Sequence, residues 1–352
     1  MAVARDVLVT LYPGERDTEW ERSLIQRCDG KVEIRWQSNV KPDGTHRPPT
    51  EYDPDVLKGA TMLYTYAPLP DELVPNLRFV HVSSAGSDLW HQHPKYNDKN
   101  VRFCTTSGSN AAQIAEWVIG VWLRFQHKFP QYAELQKQSS WKKFPLFDVH
   151  DSVGARVGIL GYGSIGRQVA RVCSALGMDI LAFTSTPRDT PESRRHDAFN
   201  LPGLGDPDGT LPSQWFHGKT KDDVNRFLAQ DLDMLVISLP LTKATEKLIG
   251  KEEFEILSAT QTFVVNIARG PIVDQEALME ALDEGKIRGA ALDVTDPEPL
   301  PADHPLWKAK NCFITPHVSW HSMSQKKRCL GILSDNVEKF LKGEPLLNEL
   351  KR

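Results

Sequence analysis

The sequence predicts an α/β protein of two doubly wound units, parallel sheets flanked by helices with a cleft between them. Three observations carry that prediction. The chain has 352 residues, the length of two domains at roughly 100–200 residues each. Short runs rich in Val, Ile, Leu and aromatic residues recur in two blocks, and most are continuously apolar, as strands covered on both faces are. Between them lie stripes of helical period, the clearest drawn by Ile114, Trp117, Val118, Val121, Trp122 and Phe125.

In chain order, the first block offers strands near 6–12, 31–36, 60–67, 77–84 and 101–106. A helix from about 111 opens the second block, whose strands fall near 155–160, 179–184, 232–239, 262–267, 287–294 and 312–316. Gln325 to Leu341 reads as one more amphipathic helix. Coming after a complete second sheet, it is expected to pack back on the first block. The expected units are therefore 1–110 with 322–352, and 111–321. Thr186 to Lys221 breaks the pattern, with five prolines, four glycines and no sustained period. It reads as an insertion, either a solvated surface loop or a lid or interface segment.

Composition excludes several classes. With 42 Lys+Arg against 46 Asp+Glu, the net charge of −4 argues against an electrostatic binder of nucleic acid or membrane surface. The first apolar run, Val7 to Tyr12, is broken by Pro13, so no signal peptide is expected. No run is long enough for a membrane-spanning helix. The five cysteines are odd in number and never CxxC, which fits a reducing compartment and a cytoplasmic location. His81, His91, His93, His127, His196, His217 and His304 show no ligand spacing with acids, so no metal site is expected.

The chemistry starts at Gly161-Tyr162-Gly163-Ser164-Ile165-Gly166. A buried strand precedes this G-x-G-x-x-G, and Ile165, Val169, Val172 and Leu176 follow it at helical spacing. That is the strand–turn–helix of a Rossmann-like dinucleotide site, with a tight turn at Gly161, close pyrophosphate approach at Gly163 and close packing at Gly166. An NAD enzyme usually places an acid at the end of the next strand. Here stand Thr184, Ser185 and Thr186, followed by Arg188. Hydroxyls and a guanidinium suit a 2′-phosphate, so NADP is favoured, with NAD as the alternative.

Three later strand ends carry Arg269, Glu298 and His317. An arginine can hold a substrate carboxylate and carbonyl as a planar fork, a histidine can supply a proton, and a carboxylate fixes its tautomer. The set suits hydride transfer to a 2-keto acid.

At this point the sequence resembles the D-isomer-specific 2-hydroxyacid dehydrogenase family over nearly its whole length. The likeness rests on Leu239-Pro240-Leu241-Thr242, Asn266 through Asp274, Gly289-Ala290-Ala291-Leu292-Asp293-Val294, Glu298-Pro299-Leu300-Pro301 and Thr315-Pro316-His317. It implies an oxidoreductase that reduces a small 2-keto acid with NAD(P)H, glyoxylate- or hydroxypyruvate-like, through catalytic Arg269, Glu298 and His317. Beside the glycine loop and Thr184–Arg188, the implied cofactor contacts are Leu239, Pro240, Thr245, Ile267, Ala268, Arg269, His317 and Asp293, the last on the nicotinamide carboxamide. The implied substrate contacts are the backbone at Ala85 and Gly86, with Arg269. The helix at 111–127 resembles the family's domain-crossing helix, which commonly builds a homodimer; Trp117 and Trp122 fit that interface or an internal core. Departures are the missing acid at Thr184, the long insertion, and Trp320, which could narrow the substrate pocket or pack at a domain interface. A dinucleotide-sensing corepressor on the same fold is the competing class.

Overall fold

The computed structural model describes residues 5–143 and 149–352. It divides into two compact units, Met1–Ser109 with Met323–Arg352, and Asn110–Ser322.

The first unit carries five parallel strands, β1 (Asp6–Leu11), β2 (Val32–Gln37), β3 (Met62–Thr65), β4 (Phe79–Val82) and β5 (Arg102–Thr105), in the order β2-β1-β3-β4-β5. Alternate residues leave opposite faces of a strand, and here both faces are covered. Leu8, Met62, Tyr64 and Phe79 enter one core, while Val9, Leu11, Leu63, Val80 and Val82 enter the other. This is why the runs look continuous in sequence. Helices α1 (Thr18–Arg27), α2 (Pro54–Leu57) and α3 (Pro94–Asn97) connect the strands.

The second unit opens with α4 (Ala111–Gln126) and α5 (Phe129–Lys137). Then come β6 (Arg156–Leu160), α6 (Ser164–Ala175), β7 (Asp179–Thr184), α7 (Pro191–Arg194), β8 (Gln214–His217), α8 (Lys221–Leu228) and β9 (Met234–Ile237). The rest is α9 (Lys251–Leu257), β10 (Phe263–Asn266), α10 (Gln275–Asp283), β11 (Gly289–Leu292) and β12 (Cys312–Ile314). Its seven-stranded sheet runs β12-β11-β10-β9-β6-β7-β8, parallel throughout. The strand order reverses between β6 and β9, the topological switch point where open α/β sheets bind ligands. Met234 and Val236 pack on the α4 and α6 side, Leu235 and Ile237 on the other.

The last helix, α11 (Gln325–Lys342), belongs to the first unit. Cys329, Leu330, Leu333 and Val337 join the core that holds Leu8 and Phe79, and Phe340 stacks on Phe79 at 5.1 Å.

One expectation changes and one open alternative is decided for Trp122. The segment 186–221 is not structureless: it holds α7, the edge strand β8 and the start of α8. A strand of four residues between glycines and prolines leaves almost no periodic signal. Trp122 is fully buried and donates its indole N–H to the Ser152 hydroxyl at 2.9 Å, so it is core; Trp117 is half-buried against the same cluster.

One buried group gives the first unit a pH dependence. His81, on β4, is fully buried between the Tyr64 and Phe79 rings. Burial holds its pKa down at about 3 from the usual 6.5. The unfolded chain therefore takes the proton first, so stability is intact above about 6.5 and falls as pH drops toward 3. At pH 5 the loss from this one group is about 2 kcal/mol. Denaturant unfolding at pH 7 and pH 5 should show His81→Leu losing less stability between the two than wild type, by that amount. Parallel losses would mean that His81 is not the titrating group.

Candidate active site

The glycine loop leaves β6 at the switch point. Gly161 has φ +107°, and a Cβ there would stand 2.8 Å from the Ser238 backbone after β9. Ser238 locks the two strand ends by donating its hydroxyl to the Gly161 carbonyl at 2.6 Å. At Gly163 a Cβ would meet nothing within 4 Å, so the space over the loop is open. Helix α6 begins at Ser164 with no side-chain cap, which leaves its first-turn N–H groups and positive dipole for a ligand. At the end of β7 the Thr184 hydroxyl donates to the Thr186 carbonyl, while Ser185 and Thr186 are exposed. No carboxylate stands at Thr184. These residues fit a dinucleotide, and the missing acid leaves room for a phosphorylated ribose.

The insertion packs against this loop rather than standing free in solvent. Its organising group is Asp206, 4% exposed, whose carboxylate accepts from the Tyr162 hydroxyl at 2.8 Å and from the Thr210 and Leu211 N–H groups. Gly205 N–H donates to the Gln168 side chain, and the Ser164 hydroxyl bonds His196 Nε2 at 2.9 Å. Arg167 is 2% exposed and donates to the carbonyls of Asp206 and Arg194. Arg188 donates to the Ser193 carbonyl, with a buried Nε that has no partner. Burial, then the nearby Arg167 and Arg188 charges, hold the His196 pKa down at about 4. Among the described residues none of Arg167, Arg188 and Arg194 makes an ion pair with a carboxylate. That leaves a concentration of positive charge beside the loop.

The three reactive side chains follow three neighbouring strands. After β10, Asn266 accepts from Ala268 N–H and donates to the Arg269 carbonyl, both at 3.0 Å. Its amide thus shapes the turn that presents half-buried Arg269. A Cβ at Gly270 would fall 1.9 Å from the Thr295 carbonyl oxygen, so only glycine lets this turn touch the segment after β11. There Gln275, from α10, brackets Asp296, its side-chain oxygen accepting the Asp296 N–H at 2.9 Å and its amide donating to the Asp296 carbonyl. Glu298, two residues on, accepts from His317 Nδ1 at 2.6 Å. The side chains of the pair are 32% and 41% exposed, leaving the other imidazole nitrogen for a substrate.

His317 has φ +54°, a left-handed conformation that costs a non-glycine residue about 1–3 kcal/mol and persists where the surroundings over-determine it. Its N–H donates to the Asp293 carbonyl at 2.8 Å. The Asp293 carboxylate, 1% exposed, accepts from the Thr315 hydroxyl, Val318 N–H, Ser319 N–H and the Ser319 hydroxyl. Those four donors fill both oxygens. Buried inside the 315–319 segment, the Asp293 carboxylate is the anchor of that segment.

The remaining expected contacts are more local. Thr245 donates its hydroxyl to the Pro240 carbonyl at 2.8 Å, closing the turn after β9 next to Leu239. Ile267 and Ala268 are buried. Trp320 packs on the α4 side of its own unit and donates its indole N–H to the His317 carbonyl at 2.8 Å. In the first unit, Ala85 and Gly86 form the loop after β4, where the Ser84 hydroxyl donates to the Gly86 carbonyl at 2.6 Å. Sequence reasoning missed Gln275, Asp206 and the indole donation, because none is part of a compact motif. Among the described residues no cluster of His, Cys, Asp or Glu is placed to hold a metal, and no helix is long and apolar enough to cross a membrane.

A dinucleotide loop at the switch point of a parallel sheet, with an arginine and a histidine–glutamate pair on neighbouring strand ends, defines a nucleotide-dependent oxidoreductase. Residues 119–203 and 209–319 match the model of the D-isomer specific 2-hydroxyacid dehydrogenase NAD-binding domain. The human glyoxylate reductase/hydroxypyruvate reductase is 30% identical over 278 residues, 78% of this chain and 77% of that protein. A hydroxypyruvate reductase of Blautia hydrogenotrophica is 29% identical over 299 residues, 82% of this chain and 84% of that one. Among solved structures, a D-isomer specific 2-hydroxyacid dehydrogenase from Xanthobacter autotrophicus Py2, in complex with NADPH and MES, superposes with TM-score 0.73. It is 26% identical, covering 99% of this chain and 98% of that one. The chain belongs to the D-isomer-specific 2-hydroxyacid dehydrogenase family, and is thereby an NAD(P)-dependent oxidoreductase.

Proposed function

We propose that the protein reduces a small 2-keto acid, glyoxylate- or hydroxypyruvate-like, to the D-2-hydroxy acid with NADPH. The observation that carries the reading is the 2.6 Å His317–Glu298 pair on the strand end next to the one bearing Arg269. Named relatives reduce glyoxylate and hydroxypyruvate, which supports the substrate class.

The chemistry the dinucleotide supplies when bound is a hydride for the keto carbon. The glycine loop Gly161–Gly166, with Thr184, Ser185, Thr186 and Arg188, would hold it. Arg269 orients the substrate carboxylate and stabilises the negative charge that grows on the carbonyl oxygen. Glu298 accepts the Nδ1 hydrogen of His317 in a hydrogen bond, so the ring turns Nε2 toward the substrate. His317 then gives the Nε2 proton to that oxygen as the carbon is reduced. NADPH over NADH is supported by Thr184 in the acid's place and by Arg188, which makes no ion pair among the described residues. The reading extends to a cytoplasmic homodimer, supported by five free thiols on the first count and by the resemblance of α4 to the family's dimer helix on the second.

A steady-state screen of 2-keto acids with each dinucleotide tests it. Glyoxylate or hydroxypyruvate should be reduced, faster with NADPH, and any chiral product should have the D configuration. Failure to reduce any 2-keto acid would sink the reading.

A further inference from the structure

His317 is held in a backbone conformation that it does not favour, so something must fix both its peptide groups. The amide side is fixed by the Asp293 carbonyl at 2.8 Å. The Asp293 carboxylate pins Thr315, Val318 and Ser319, yet it does not reach the His317 carbonyl. What reaches that carbonyl is the indole N–H of Trp320, at 2.8 Å.

Trp320 is itself braced. Its ring packs against the core formed by Ile114, Val118 and Ile267, and stands edge-on to His321 at 4.2 Å. Its own carbonyl accepts from the side-chain amide of Gln113, on α4, at 2.8 Å. Gln113 is 8% exposed, so the brace starts in the interior. The result is a continuous strut from α4 through Gln113 and Trp320 to the His317 backbone, and through the imidazole to Glu298.

On the reading that His317 is the proton donor, we propose that Trp320 is a positioning residue: its indole N–H holds the His317 carbonyl and so keeps the imidazole aimed between Glu298 and the substrate oxygen. Without the donor the carbonyl is released, the left-handed turn relaxes toward commoner backbone, and the ring swings off the line of proton transfer. A displacement of that kind lowers the rate of a positioned acid without touching substrate or dinucleotide affinity. Trp320 then acts through His317.

The test is Trp320→Phe, which keeps an aromatic ring and removes the donor. A second variant carries 3-benzothienylalanine at 320, nearly isosteric, with sulfur in place of N–H. Both should lower kcat for glyoxylate or hydroxypyruvate by about 3- to 10-fold, the scale of one lost hydrogen bond, with KM and NADPH affinity within about twofold. Trp320→Phe combined with Glu298→Gln should lose less than the product of the single losses, because both act through the same ring. If the sulfur variant keeps wild-type kcat, the strut is not functional. If KM for larger keto acids changes while kcat holds, Trp320 is a pocket wall and the proposal is overturned. His317→Ala separates the two readings. Near-normal turnover there would remove the proton-donor reading itself, whereas a dead His317→Ala beside a fully active sulfur variant would remove only the strut.

Discussion

His317→Ala is expected to lower kcat by about 10²–10⁴-fold, the usual scale for losing a positioned general acid, while NADPH affinity stays nearly unchanged. The reason is local. The imidazole is the group that Glu298 orients at 2.6 Å, and the Arg269 guanidinium serves to stabilise charge. Alanine at φ +54° also strains the backbone, so His317→Asn is the better control, since asparagine tolerates the left-handed region. Both variants should lose turnover to a similar extent and keep the dinucleotide. Single-turnover reduction with saturating NADPH, together with equilibrium binding of NADPH, separates the two quantities. Near-normal turnover in either variant would mean that another group donates the proton.

The second large effect concerns cofactor choice. At the end of β7, Thr184 offers a hydroxyl where an acid would grip unphosphorylated ribose and repel a phosphate. Arg188 lies four residues on, with one guanidinium nitrogen on the Ser193 carbonyl and, among the described residues, no ion pair to a carboxylate. A charge-assisted bond to a 2′-phosphate contributes about 1.5–3 kcal/mol, roughly 10- to 150-fold in affinity. NADPH should therefore exceed NADH in kcat/KM by a factor in that range, and Arg188→Ala should remove most of the difference. Thr184→Asp should invert the order by restoring both grip and repulsion. The measurement is kcat/KM for both dinucleotides across wild type and the two variants. A wild type that prefers NADH, or an Arg188→Ala that weakens both equally, would show that Arg188 only holds the turn at Ser193.

The parts of this molecule that were legible in the sequence share one property: their signal is local. The glycine loop, its strand and its helix lie within about twenty consecutive residues, so spacing alone places Gly161, Gly163 and Gly166. The apolar runs were legible because both faces of each strand are covered, which makes a strand such as Met234–Ile237 entirely hydrophobic. Arg269, Glu298 and His317 were legible as residue types at strand ends, and the sheet order brings those ends side by side. What was not legible depends on long-range pairing. Gln275 looks like an ordinary helix residue until its amide is seen to bracket Asp296. Trp320 looks like bulk until its N–H is followed to His317. Strand β8 is four residues long, with a burial pattern that is half exposed at best, so no periodicity announces it.

The docking of the insertion on α6 alters what that segment is for. Judged by composition it is expendable, a proline-rich excursion that could be trimmed to shorten the chain. Yet Asp206 answers the Tyr162 hydroxyl, Gly205 answers Gln168, and the carbonyls of Asp206 and Arg194 answer Arg167. Removing the excursion would strand a phenol, an amide and a guanidinium together on the flank of α6, the helix that follows the glycine loop. The stretch that breaks the pattern of the sequence is thus an outer casing packed on the glycine loop and α6, and any redesign of cofactor use has to treat the casing and the loop as one piece.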